Sequence, residues 1–275
     1  MAVRLCDWNR RLTQSPGNQI QSCMALTNIV LQCIMTSDGF LVLFQPYLVF
    51  STKVISARNL LLSFFANLSF WLTAWLCSFY CVTIVRFHHE VITSLKMRLP
   101  DVVPKLLLGT LLLSFSISVP TIWYIKFVTE STTSANLTGN YSAMTAFVFY
   151  HNSTFTSIFI TIGCIMPLVI TLTSIGFTVA SLLRHVQQMK LNAPSLSAAQ
   201  LEAHYRACRT MVLLVILYVT FNVTAIRFPF SNLSFEFFLI IWLILLLYPT
   251  VQAVILIMGS SELKGTLSQI IGCTR

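Results

Sequence analysis

Long apolar runs constrain this chain more than any other feature of its sequence. Each run has about the 20 residues that a helix needs to cross the roughly 30 Å hydrocarbon core of a bilayer. Lipid offers no partner to backbone N–H and C=O groups, so a spanning chain must form helices or a closed barrel, and a barrel uses strands of only about 10 residues. The sequence therefore predicts an all-α membrane protein, a single bundle over residues 1–275 with six spans at about 20–44, 60–85, 103–125, 155–183, 210–228 and 235–258.

The composition indicates the same class of protein. Hydrophobic residues make up 56% of the chain and charged residues only 9%, which is more apolar surface than a soluble core has to bury. The net charge of +9 is also found in nucleic-acid-binding proteins, but here the basic residues cluster at the ends of apolar runs, as membrane proteins place them. We expect membrane lipid as the surroundings and no nucleic acid as a partner.

The basic residues also predict an orientation. Thirteen of the 17 lie in residues 1–19, 86–105, 184–209 and 259–275, and positive charge collects on the cytoplasmic side of a membrane. The alternate connection around residues 129–154 is polar and contains three glycosylation sequons, at Asn136, Asn140 and Asn152, which indicate the opposite side. We expect a multi-pass protein of the plasma membrane with a cytoplasmic C-terminus and the connection around 129–154 outside.

No pattern in the sequence indicates an enzyme. His88, His89 and Glu90 are adjacent, whereas a zinc protease needs two His four residues apart with a Glu beside the first. No glycine-rich loop is present that could hold a phosphate. The sequence therefore predicts no catalytic residue, no metal site and no cofactor.

Polar side chains inside the apolar runs are the candidates for function, because each is unfavourable in lipid and tends to face a cavity or a partner. Asp38 is at the outer end of the first span, where its carboxylate could pair with Arg58 or Lys53, bind the ammonium group of a ligand, or reach the headgroups. Asn67 is in the outer half of the second span, and the sequence does not decide whether its amide bonds a neighbouring helix or contacts a ligand. Asn28, in the inner half of the first span, is interpreted as an amide that hydrogen-bonds a neighbouring helix.

Prolines mark the places where the spans should bend. Pro120, Pro167 and Pro249 lie within or at the ends of spans, and each lacks the N–H that would close a helical hydrogen bond. Bends of this kind make room for pockets, although a simple kink is the more common outcome.

Several motifs resemble the bitter taste receptors, the type 2 taste receptor family of G-protein-coupled receptors. The end of the fourth span reads FTVASLLRHVQQMKLNAP and is similar to the family pattern SLxxHxxxM through Ser181, Leu182, His185 and Met189. The stretch Asn67–Gly109 resembles the family's third and fourth helices, and Tyr248–Lys264 resembles its seventh-helix signature. Further matches are Glu202–His204, Ala207, Leu217 and Tyr218, at the entry to the family's sixth helix.

This resemblance implies a seven-helix receptor bundle whose outer half binds small bitter molecules. It places the ligand beside Asp38, Ser63, Phe64, Asn67 and Trp242, and it implies a heterotrimeric G protein as the partner on the cytoplasmic side. The residues that follow Cys6 resemble the family's first cytoplasmic loop, so the family's first helix is expected to have no counterpart here. The family arginine in the second helix is Asn28 in this chain, and the family His-Ser pair in the seventh helix is Gln252 and Ala253.

The basic connection between the fourth and fifth spans is the expected G-protein surface. Helix ends and basic loops present donors to a partner's C-terminal tail, so we expect the G protein to be bordered by Arg184, His185, Lys190, His204 and Arg206. The alternative is that these charges serve only to fix the orientation in the membrane.

Three other interpretations remain open at the level of sequence. A vomeronasal type 1 receptor is a related sensory protein that binds pheromones. A channel or transporter subunit would need pore-facing charges or broken-helix repeats, which the chain scarcely offers. A truncated, non-signalling fragment of a receptor is the third, because the removal of one helix exposes faces that should be packed.

Overall fold

The computed structural model describes residues 16–45, 51–85, 90–135, 141–151, 153–192, 198–227 and 235–259, together with residues 265 and 269. Their elements, in chain order, are α1 Pro16–Phe44, α2 Thr52–Ile84, α3 Glu90–Ser118, α4 Thr121–Tyr124, β1 Ile125–Ala135, β2 Tyr141–His151, α5 Ser153–Ile160, a π-helical turn Thr161–Ile165, α6 Met166–Asn192, α7 Ala198–Arg227 and α8 Phe235–Gly259.

The helices follow the apolar runs and extend beyond them. Within the described residues, five helical stretches are long and apolar enough to cross a membrane, and a shorter apolar helix covers Leu243–Gly259. The long stretches are Pro16–Leu41, Lys53–Ile84, Lys96–Trp123, Thr154–Ser181 and Tyr205–Thr224. The predicted all-α membrane bundle is therefore confirmed, and α3 begins well before the apolar run that predicted it.

Helix α2 is the axis of the bundle. It contacts α1, α3, α6 and α7, while α8 packs against both α1 and α7. Every residue from Asn67 to Ala74 is buried, so this part of α2 is enclosed on all sides rather than along one stripe. An enclosed helix brings its polar side chains into contact with other helices, and α2 is where the buried polar groups of the bundle meet.

Most Ser and Thr side chains in the helices form a hydrogen bond with a main-chain carbonyl of their own helix. Thr27, Thr110 and Thr178 donate their hydroxyls to the carbonyl one turn earlier, at 2.8, 2.7 and 2.7 Å. This back-bonding lets Ser and Thr occupy an apolar helix without a partner on another helix. Buried polar groups that instead form hydrogen bonds between helices, or form none, therefore indicate where a functional site could lie.

Of the three prolines at which the sequence predicted bends, Pro120 lies between two helices, whereas Pro167 and Pro249 lie inside continuous helices. Helix α3 ends at Ser118, two residues before Pro120, and the short α4 follows that turn. Pro167 is the second residue after the π-helical turn, and its missing N–H leaves the carbonyl of Gly163 without its usual helical donor. Pro249 lies inside α8 directly after Tyr248.

A two-stranded hairpin connects α4 to α5, and the sequence analysis did not predict it. Strands β1 and β2 pair antiparallel, from Ile125 opposite His151 to Ala135 opposite Tyr141. The segment has no apolar run long enough for a membrane span, so its polar residues predict only a connection. Its Thr, Val and Ile content is the signal for strands that was available.

Candidate functional site

A buried polar network joins α2 to α8 in the centre of the bundle. Ser69 donates to Gln252 Oε1 at 2.9 Å, and Gln252 donates through Nε2 to Thr73 Oγ1 at 3.0 Å. The Tyr248 hydroxyl lies 3.2 Å from Ser69 Oγ, and Tyr248 must be the donor because the single hydroxyl proton of Ser69 is directed at Gln252. All four side chains are buried, so the network operates where hydrogen bonds have little competition from water.

An aromatic cluster adjoins this network and extends it to α7. The ring of Phe70 lies 4.5 Å from Tyr218 and 5.7 Å from Phe221, both in edge-to-face geometry. Phe221 and Tyr248 lie 4.3 Å apart. Tyr248 belongs to both the polar network and the cluster, so α2, α7 and α8 meet at one point.

The π-helical turn brings the helix formed by α5 and α6 into the same point. The hydroxyl of Tyr218 donates to the main-chain carbonyl of Cys164, inside the turn. A π-helical turn changes which carbonyls are used within the helix, and this one is bonded by a side chain of α7. A change in the turn would therefore act directly on α7.

Asn67 faces this turn from α2. Its Nδ2 donates to the carbonyl of Ser63 at 3.0 Å, while its Oδ1 makes no hydrogen bond although the side chain is 1% exposed. A Cβ placed on Gly163 would overlap Asn67 Oδ1, so the glycine is what allows the amide to lie against the turn. Asn67 Oδ1 is thus a buried acceptor that has no hydrogen bond among the described residues and packs against the turn.

Asp38 has a partner in the protein. Its Oδ1 lies 3.0 Å from Arg58 Nη1, and both side chains are partly exposed. This pairing is one of the alternatives that the sequence left open, and it ties the C-terminal part of α1 to the N-terminal part of α2. A cationic ligand at Asp38 would have to compete with Arg58.

The remaining predicted ligand residues are placed as follows. Ser63 accepts the hydrogen bond of Asn67 through its carbonyl, and Phe64 packs edge-on against Phe115 of α3 with centroids 6.2 Å apart. The side chain of Trp242 lies outside the described part of the chain. Three of the five therefore share one stretch of α2, and Asp38 lies beside Arg58 near the N-terminal end of that helix. A shallow depression, lined by Thr36, Ser37, Phe40 and Leu41 of α1, includes none of the five.

The predicted cytoplasmic and glycosylated residues are described only in part. Arg184 is exposed near the end of α6, and Arg206 is half-buried in α7. The side chains of His185, Lys190 and His204, and residues Asn136, Asn140 and Asn152, lie outside the described part.

Sequence reasoning did not identify Ser69, Thr73, Tyr218 and Tyr248 as a group. Both polar pairs, Ser69 with Thr73 and Tyr248 with Gln252, are spaced by one helical turn, which puts the members of each pair on one face of a helix. That spacing was the available signal. It does not say which helix each face meets.

The chain is similar to known proteins along its whole length. The family described as Taste receptor protein (TAS2R) matches residues 1–275. Taste receptor type 2 member 9 from Homo sapiens is 28% identical over 268 residues, covering 95% of this chain and 84% of that protein. Taste receptor type 2 member 3 from Gorilla gorilla gorilla is 28% identical over 275 residues, covering 97% and 85%.

The fold is similar to that of a solved receptor structure. The crystal structure of squid rhodopsin superimposes with a TM-score of 0.65 at 14% sequence identity, covering 95% of this chain and 77% of that chain. At 14% identity this comparison supports a shared fold only, and the shared fold is that of G-protein-coupled receptors.

We predict that Gly163→Ala destabilises the bundle by about 1–3 kcal/mol, because the new Cβ overlaps Asn67 Oδ1 and the side chain or the turn must move. The matched control is Gly176→Ala on α6, where an added Cβ meets nothing within 4 Å and helix propensity favours alanine by about 0.5–1 kcal/mol. Thermal unfolding of the two purified variants measures the difference. Equal midpoints would contradict the packing of Asn67 on the turn.

Proposed function

Since the chain belongs to the taste receptor protein (TAS2R) family, we propose that it is a receptor for small bitter molecules, which bind in the outer half of the bundle and activate a heterotrimeric G protein. Family membership and fold make it a multi-pass membrane receptor of the G-protein-coupled class and not an enzyme. The ligand class, its site and the activation step are the proposal.

The observation that carries the proposal is the unpaired oxygen of Asn67. A buried acceptor without a donor is unfavourable by about 1–3 kcal/mol, and a ligand that supplies an N–H or O–H removes this penalty when it binds. Ser63 and Phe64 lie within one turn of Asn67, and Phe64 adds an apolar ring beside the polar contact. This supports a ligand that is largely apolar and carries a hydrogen-bond donor, with Trp242 as a further contact.

Activation proceeds in this proposal by a population shift. A ligand favours the active bundle only to the extent that it binds that bundle more tightly, by about 1.4 kcal/mol for each tenfold. Asn67 packs against Gly163 of the π-helical turn, so a ligand that contacts Asn67 also affects this turn. The carbonyl of Cys164, in the same turn, accepts a hydrogen bond from Tyr218. The signal then reaches α7 and, through Phe70 and Tyr248, the network with α8.

The cytoplasmic side in this proposal follows the charge distribution of the chain. The receptor lies in the plasma membrane with its C-terminus inside and the connection around residues 129–154 outside, glycosylated at Asn136, Asn140 and Asn152. Arg184, His185, Lys190, His204 and Arg206 border the G protein, which the exposure of Arg184 supports.

The proposal is tested with cells that express the receptor and report G-protein activation as calcium release. We expect responses to compounds from a bitter panel and none to pheromone-like compounds, and Asn67→Ala should lower the potency of donor-bearing agonists about tenfold through the loss of one hydrogen bond. Asn222→Ala is the matched control, because Asn222 makes the same kind of local bond, to the Tyr218 carbonyl at 2.9 Å. Responses to pheromone-like compounds alone would overturn the proposal.

The role of Asp38 is separated from that of its partner by two substitutions. If the carboxylate anchors cationic ligands, Asp38→Asn weakens amine agonists more than neutral ones, and Arg58→Gln strengthens amine agonists because it releases the carboxylate. Dose-response curves are compared at matched surface expression. An equal loss for both ligand classes in both variants would show that the pair only holds α1 to α2.

The cytoplasmic surface is tested by charge removal. Arg184→Gln together with Lys190→Gln should reduce the maximal G-protein response severalfold while surface expression stays normal, because rim charges guide the approach of a partner. Lys53→Gln is the control, since Lys53 is an exposed basic residue at the other end of the bundle. Unchanged coupling at normal expression would assign the two charges to membrane orientation alone.

A further inference from the structure

A hydrogen bond between two side chains lies on the surface of the bundle, where α1 meets α8. Thr250 of α8 donates its hydroxyl to Gln32 Oε1 of α1 at 3.1 Å, and the pair is exposed. Both residues lie near the middle of their apolar helical stretches, Pro16–Leu41 and Leu243–Gly259, which places the pair in the hydrocarbon region. A polar side chain at that depth is unfavourable in lipid and tends to face a partner.

The amide of Gln32 retains hydrogen-bonding capacity beyond this pair. The bond from Thr250 uses neither of the two protons on Gln32 Nε2 nor the second lone pair of Oε1. Exposed hydroxyls elsewhere in the bundle behave differently, since Ser116, Thr173 and Thr220 each donate to a carbonyl of their own helix. Such back-bonding leaves a helix surface that suits lipid. The Gln32 amide instead presents a donor and an acceptor at the surface.

Small side chains surround Gln32 on α1. Ala25, Cys33, Thr36 and Ser37 are all exposed. Their spacing of three and four residues puts them on the same face of the helix as Gln32. In a membrane, small residues let two helices approach closely, and polar side chains then bond across the contact. We call Gln32 and these four residues, together with Thr250, the Gln32 face.

The exposed face of α3 shows the opposite pattern. Leu108, Leu112 and Phe115 are each more than half exposed. Large apolar side chains pack well against acyl chains and need no hydrogen-bond partner. The Gln32 face therefore has the properties of a helix-packing surface, whereas the α3 face has those of a lipid-facing one.

Apolar side chains border the Gln32 face and add contact area. On α8, Leu247, Val251 and Val254 are spaced by three and four residues and are exposed. On α1, the depression next to Phe40 has a volume of about 410 Å³ and leaves room for a side chain from outside the bundle. A helix that packs on the Gln32 face would cover both.

We propose that the Gln32 face binds a second copy of this chain in the membrane. Two copies with the same orientation pack about a two-fold axis along the membrane normal, so a residue near the axis meets its own counterpart at the same depth. A carboxamide is self-complementary, because Nε2 of each Gln32 donates to Oε1 of the other and two reciprocal hydrogen bonds form. Residues 25–37 and 243–258 contain no charged residue, so no like charges oppose each other at the axis.

Other occupants fit the Gln32 amide less well. An acyl chain offers it neither a donor nor an acceptor. An unrelated helix would have to carry a donor and an acceptor at the same depth, which a second copy always supplies. The symmetry of the pair is therefore what favours this chain as its own partner.

The first experiment uses Cys33, an exposed thiol next to Gln32, as a reporter. The purified chain with Cys6→Ser and Cys273→Ser is placed in phosphatidylcholine vesicles and oxidised by air with copper phenanthroline. We expect a covalent dimer through Cys33, because small side chains allow the Cα separation of about 7 Å or less that a disulfide needs. Cys33→Ser should abolish it. The position control is Cys33→Ser/Leu112→Cys, which moves the exposed thiol to α3 and should not cross-link.

The second experiment measures energy transfer between labelled copies while added lipid dilutes the chain, which gives the dissociation constant of the dimer. Gln32→Leu should raise this constant about tenfold through the loss of the interhelical hydrogen bonds. Thr250→Val is the matched control, because it removes the same bond between α1 and α8 but leaves the Gln32 amide in place. It should leave the constant nearly unchanged.

Three results would overturn the proposal. A chain that stays monomeric at high density would show that lipid or another protein covers the Gln32 face. Cross-linking at Leu112→Cys as fast as at Cys33 would show random collision. An equal effect of Gln32→Leu and Thr250→Val would show that Gln32 serves to hold α1 to α8 within one copy.

Discussion

The absence of water around the bundle is the constraint on which the rest of the structure depends. In hydrocarbon a polar group must find its partner inside the protein, because nothing outside can replace one. The chain meets this demand in two ways. Most Ser and Thr residues bond the carbonyl one turn back and leave the helix surface apolar. A small set around α2 instead bonds across helices, and these bonds decide which helices meet.

The cross-helix bonds are concentrated where α2 is enclosed on all sides. Ser69 and Thr73 hold α8 through Gln252, while Phe70, between them, packs on Tyr218 and Phe221 of α7. Tyr218 in turn holds the π-helical turn before α6. A displacement of any one of these helices must break or redirect one of these hydrogen bonds or ring contacts. This is the arrangement that a receptor needs if a ligand on one helix is to move another, since packed interfaces change between discrete states.

Much of this could be predicted from the sequence, and the limits have physical reasons. The apolar runs predicted the membrane helices because run length and the thickness of a bilayer are directly related. Arg58 was one of two partners proposed for Asp38, because few charges occur near this end of the first two spans. The spacing of Ser69 with Thr73 and of Tyr248 with Gln252 showed only that each pair shares a face. The facing helix depends on tertiary packing, which has no local signal. The hairpin between α4 and α5 does not follow from the length of apolar runs, because each strand has only 11 residues and many of them are polar.

The buried amides of the bundle differ in how far the protein itself pairs their atoms. Gln252 and Asn28 are both buried amides at positions where the chain departs from the family pattern. Gln252 is bonded on both sides of its amide, so its role in the network is accounted for by the protein alone. Neither amide atom of Asn28 has a hydrogen bond among the described residues, contrary to the expected bond to a neighbouring helix. Asn67 lies between these cases: its nitrogen donates to the Ser63 carbonyl, which holds the side chain in place, and its oxygen has no hydrogen bond among the described residues.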